Sequence, residues 1–115
     1  TEKMFGAKID LNYEAGYPPV INNEVITKNV KEAAIDIVGN ENVSNPYLSM
    51  GGEDFSYFSN KIPGCFFFLG SAPKDRELLT TPHHCSHFDI DEGSMLIGSS
   101  IFIKIIENLL MRDNY

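Results

Sequence analysis

All three histidines of the chain fall within five positions, in Pro82-His83-His84-Cys85-Ser86-His87-Phe88-Asp89-Ile90-Asp91-Glu92, beside a thiol and three carboxylates. Imidazole, thiolate and carboxylate are the ligand types that zinc prefers. A closed structural zinc site usually draws paired ligands from two segments, and this chain offers no second pair. The residues alone therefore admit three readings: a polar surface loop, a metal site, or a nucleophilic Cys or Ser beside an imidazole. Spacing ranks them in that order. Asp91 and Glu92 fit better as carboxylates stabilising the start of a helix through its dipole than as ligands.

A second candidate is Ser49-Met50-Gly51-Gly52-Glu53-Asp54-Phe55. Two glycines let backbone come close to another group, and N–H groups at a helix start can hold an anion such as a substrate carboxylate. A turn capped by Asp or Glu is the simpler reading of the same residues. The run Phe66-Phe67-Phe68 reads as core, not as a binding surface.

The elements that must position these residues follow from periodicity. Residues 5–13 alternate, with Ile9, Leu11 and Tyr13 opposite Lys8, Asp10 and Asn12, which predicts a half-buried strand. Gly16-Tyr17-Pro18-Pro19 then interrupts any regular element. Asn22 or Asn23 can cap a helix whose apolar face is Ile26, Val30, Ala33, Ala34 and Ile37, ended by Gly39 as a left-handed cap. A loop with room for a short strand spans 40–49, and a short helix spans 54–59. Cys65-Phe66-Phe67-Phe68-Leu69, between two glycines, predicts a central strand buried on both faces. A long helix over about 92–112 closes the chain, with Met95, Leu96, Phe102, Ile105, Ile106, Leu109 and Leu110 on one face. This order predicts an α/β layer.

With 115 residues and a hydrophobic fraction of 43%, the chain can form one small domain with a modest core. Sixteen acidic against nine basic residues give a net charge of −7, which opposes binding to nucleic acid or to an anionic membrane where no local basic patch exists. The strongest apolar runs, 65–69 and 101–106, are shorter than the ~20 residues of a membrane-spanning helix. No secretory signal opens the chain, so the cytoplasm is the expected location. Two cysteines, Cys65 and Cys85, are too few for a disulfide framework, although one bridge stays open. The start at Thr1, directly ahead of a strand pattern, reads as cut.

Tyr17-Pro18-Pro19-Val20-Ile21-Asn22-Asn23, Met50-Gly51-Gly52-Glu53-Asp54-Phe55, Pro63-Gly64-Cys65-Phe66-Phe67-Phe68-Leu69-Gly70 and His84-Cys85-Ser86-His87-Phe88-Asp89-Ile90-Asp91-Glu92 together resemble the amidohydrolase branch of the aminoacylase and carboxypeptidase family. The resemblance implies an α/β fold: the C-terminal part of a di-metal, aminopeptidase-like catalytic domain over 17–115, preceded over 1–16 by the last strand of an inserted lid. It implies His84 as a metal ligand, with His83 the rival by one position, and Gly51 and Gly52 as wall near the substrate carboxylate. Ser86 stands where the family usually has proline, and Cys85 where it usually has His or Ser. The general base and the other ligands would lie upstream, so no catalytic residue is assigned here and the isolated chain is expected to be inactive. The implied cofactors are two divalent ions, Zn or Mn, and the implied substrate is a small N-acyl amino acid. Neither nucleic acid nor membrane is an implied partner, and the full-length protein would be a homodimer joined through the lid. A carboxypeptidase or dipeptidase of the same superfamily is the alternative, and a non-catalytic metal-binding or structural module is the alternative of another class.

Overall fold

The computed structural model describes residues 2–44, 48–73 and 83–112. Within them α1 (Glu2–Phe5), α2 (Glu24–Val38), a 3-10 turn (Asn40–Asn42), α3 (Phe55–Ser59) and α4 (Gly93–Arg112) alternate with extended segments.

The start of α2 is fixed by Asn23, whose Oδ1 accepts from the N–H groups of Val25 and Ile26, both at 3.1 Å. Two first-turn donors that lack helical partners are thereby satisfied. The helix stops at Gly39, whose φ of 85° and ψ of 152° lie in a region essentially reserved for glycine, not in the left-handed well expected from the sequence. Beyond it, Asn42 Nδ2 donates to the Val38 carbonyl at 2.7 Å and closes the helix end. The buried face is Asn29, Val30 and Ala33, while Ile37 is exposed.

α4 lies along α2, but by a stripe other than the one its large residues suggest. Ser94 and Ile101 are buried and Gly98, Lys104 and Ile105 half-buried, whereas Met95, Leu96, Phe102, Ile106, Leu109 and Leu110 are exposed. The reason is that α4 is apolar around most of its circumference, so periodicity alone cannot say which stripe meets a given neighbour. Two small residues lie on the least exposed stripe. A Cβ at Gly98 would stand 3.1 Å from Leu69 Cδ2, so glycine here permits a close approach. Lys104 Nζ reaches Asp36 Oδ2 of α2 at 3.5 Å. The 19 residues Gly93–Met111 are long and apolar enough to cross a membrane by length and composition, which the shorter runs read from the sequence did not reveal.

No strand occurs among the described residues, so the expected α/β layer is not formed within them. In place of a lid strand at 5–13, α1 ends at Phe5, Gly6 turns with φ +64°, and the chain continues extended with Leu11 and Tyr13 exposed. The expected central strand at 65–69 is extended but only half-buried, and Phe68 is 63% exposed. Alternation and apolar runs record suitability for a sheet, but a ladder needs a second segment, and among the described residues no strand pairing forms. A side chain stands in for one neighbour. Asn22 Nδ2 donates to the Phe66 carbonyl and Asn22 Oδ1 accepts from the Phe66 N–H, both at 2.8 Å, the two-bond exchange that a strand residue would make. Rings then link the segment to the helices, with centroids 5.6 Å apart for Phe55 and Phe66 and 5.8 Å for Phe67 and Phe102. A cavity of about 320 Å³ lined by Phe55, Cys65, Phe66, Phe67, Leu69, Gly98 and Phe102 remains between them.

The molecule is open. Its accessible surface is 10207 Å², against roughly 6,300 Å² for a compact protein of this mass. Its radius of gyration is 19.9 Å, where about 13 Å is usual near this length.

Candidate active site

The histidine segment is built as consecutive turns that hand the chain into α4. The Asp91 N–H donates to the Ser71 carbonyl at 2.8 Å, which ties the end of the loop to the end of the extended segment. Asp91 Oδ1 accepts from the Gly93 N–H at 2.9 Å, so Asp91 caps the helix start as its sequence position suggests. Asp89 Oδ1 accepts from the Ile90 N–H at 2.9 Å.

His84 is the one non-glycine residue with positive φ among the described residues, at 64°. A side chain in that region costs about 1 kcal/mol or more, and such strain concentrates at functional sites. Its imidazole is exposed and makes no hydrogen bond among the described residues. His83, also exposed, has its ring against Phe88, with centroids 5.0 Å apart and planes at 69°. Ser86 Oγ lies 3.2 Å from His87 Nδ1, the contact a nucleophilic dyad would need, but no third group orients His87 among the described residues. Cys85 and Cys65 are both half-buried and not joined to each other. Among the described residues, no three His, Cys, Asp or Glu side chains converge on a point where an ion could sit.

At the glycine loop, the Gly51 N–H donates to Ser49 Oγ at 3.1 Å, while the Gly52 N–H has no partner among the described residues. α3 does not offer a free anion-binding end. Its N-cap, Asp54, makes no side-chain cap hydrogen bond, but Glu53 occupies the start: its Oε1 accepts from the Phe55 N–H at 3.2 Å and its carbonyl from the Ser56 N–H at 3.3 Å. Gly52 is close to something the sequence did not identify, the ring of Tyr17, which in turn meets Tyr57 of α3 edge-on at 5.8 Å. No hydrogen bond or ring contact joins the glycine loop to His84 among the described residues, and neither lines the apolar cavity.

Asn29 and Ser56 are fully buried with side-chain polar atoms unpartnered among the described residues, and nothing in their neighbouring sequence signals it. The role of Asn22 was half visible: the Asn22-Asn23 pair suggests a cap, but only one of the two can be one.

The profile of the peptidase family M20/M25/M40 matches residues 6–108. The chain belongs to this family. Among its relatives is YhaA of Bacillus subtilis (strain 168), provisionally named an amidohydrolase, 38% identical over 98 residues that cover 85% of this chain and 24% of the relative. The Arabidopsis thaliana IAA-amino acid hydrolase ILR1-like 6 is 33% identical over 113 residues, 93% of this chain and 24% of the relative. The N-acetyldiaminopimelate deacetylase of Lacticaseibacillus paracasei is 35% identical over 104 residues, 90% of this chain and 25% of the relative. These names support the amidohydrolase branch of the family, and the chain spans about a quarter of the length of the curated relatives it matches. No solved structure matches it.

Proposed function

We propose that this chain is the C-terminal part of a metal-dependent amidohydrolase that cleaves the amide bond of N-acyl amino acids. In this reading residues 1–16 end a lid domain and residues 17–115 belong to an α/β catalytic domain. The observation that carries it is His84, a strained, exposed imidazole without a hydrogen-bond partner among the described residues, in a loop anchored at Ser71 and at the start of α4. Strain held at an exposed histidine is readily understood if the side chain serves a ligand. The contact of His83 with Phe88 favours His84 over its rival.

His84 would hold one of two divalent ions, zinc or manganese, with the remaining ligands and the general base outside this chain. When bound, such ions polarise the amide carbonyl and lower the pKa of a water. The Gly52 N–H would take an oxygen of the substrate carboxylate. The substrate class draws on two relatives' names, an IAA-amino acid hydrolase and an N-acetyldiaminopimelate deacetylase, both of which point to an acylated amino acid. A cytoplasmic homodimer joined through the lid completes the proposal. α4 is read as a core helix, because Lys104 lies near the middle of its apolar length and would cost about 2.5–3.5 kcal/mol at a bilayer centre.

The test is hydrolysis of a panel of N-acetyl amino acids by the full-length gene product, with and without a chelator. Turnover that chelation abolishes and added zinc or manganese restores is expected. Activity confined to unblocked dipeptides would favour the dipeptidase alternative, and hydrolysis indifferent to chelation would defeat both.

A further inference from the structure

Gly52 has no positive φ to call for glycine, yet a Cβ there would come within 3.0 Å of Tyr17 Cδ2. The group that crowds position 52 is therefore a ring, itself 55% exposed, and not a backbone angle. That ring is held from two directions. Tyr57 of α3 meets it with centroids 5.8 Å apart and planes at 79°. Its own backbone is stiff, since Pro18 confines the residue before it to extended conformations and Pro19 fixes a second φ. Asn22, five residues on, is tied to both backbone groups of Phe66.

We infer that Tyr17 is a positioning residue: its ring, wedged against Gly52, sets the direction of the Gly52 N–H toward the substrate carboxylate. The inference rests on the reading of the Gly51-Gly52 loop proposed above. Within that loop the Gly51 N–H is engaged by Ser49 Oγ, whereas the Gly52 N–H, next to the Tyr17 ring, has no partner among the described residues. A glycine without a neighbour would sample a wide range of φ and ψ, and its N–H would lose direction. The ring supplies the restraint that a side chain at 52 cannot.

The test uses the full-length gene product, the N-acetyl amino acid it hydrolyses best, and the corresponding free amino acid as a calorimetric probe. Tyr17→Ala should raise both KM and the Kd of the free amino acid by roughly tenfold with kcat little changed, the pattern of a misplaced binding group. Tyr17→Phe should match the unaltered enzyme, because the ring and not the hydroxyl meets Gly52. Gly52→Ala should raise the same two constants, and the double variant Gly52→Ala/Tyr17→Ala should be no worse than the weaker single, since the two positions are in contact. Should Tyr17→Ala be insoluble, Tyr17→Leu takes its place with the same expectation. If Gly52→Ala raises KM and Kd while the Tyr17 variants do not, Tyr17 has no such role and the loop keeps its own. If Gly52→Ala changes neither constant, the loop is not at the carboxylate and the inference falls with that reading.

Discussion

His84 combines two costs that can be separated experimentally. Its positive φ strains the backbone, and its imidazole, on the proposed reading, serves a metal. Glycine adopts that conformation freely while alanine does not. In the full-length protein His84→Gly should therefore be more stable in urea than His84→Ala by about 1 kcal/mol, while both lose one bound metal and most activity. Equal stabilities would remove the strain argument, and full metal content in either variant would remove the ligand assignment. At this scale much was legible. The Asp91 cap and the Glu53 bond to the Phe55 N–H follow from residue type and position, because such bonds are made within three residues of sequence. The Asn22 clamp and the Tyr17 ring over Gly52 were not, since both join residues more than thirty positions apart.

At the scale of elements, the pairing of α2 with α4 is the main packed contact among the helices. Its buried apolar centre is small, consisting of Val30 and Ala33 from α2 and Ile101 from α4. Ile101 is 3% exposed, so Ile101→Ala in the full-length protein should cost about 2–5 kcal/mol, whereas the same change at the exposed Leu96 of this chain looks harmless. If the outer stripe of α4 is buried in the larger protein, as proposed, Leu96→Ala will cost a comparable amount. Denaturant unfolding of the two variants decides whether that stripe is covered. The helices themselves were legible because α2 and α4 carry long periodic patterns. Their orientation was not. α4 is apolar on several sides, and its least exposed stripe includes Ser94 and Gly98, the latter against Leu69, residues a hydrophobic pattern passes over.

For the whole molecule, the surface exceeds that of a compact protein of equal mass by about 3,900 Å². Excess of that size is comparable to the area buried in obligate interfaces, which run to about 2,000–5,000 Å². The segment 65–69 points the same way: its sequence suits a buried strand, and the described residues give it an asparagine side chain where a sheet would give it neighbours. Such a strand is recognisable from its own residues, but whether it is buried depends on what lies beside it. The proposed enzyme would supply both the strands and the missing ligands from the part of the family's length that this chain does not span. The central claim, that this chain carries one ligand of a larger two-metal site, is tested most directly by titrating the 115-residue chain with zinc in a calorimeter and assaying the same sample on N-acetyl amino acids. A catalytic zinc commonly has three protein ligands, and a single imidazole does not hold the ion against water. The account predicts weak binding without defined stoichiometry and no turnover. Tight one-to-one binding, or measurable hydrolysis by the chain alone, would contradict it.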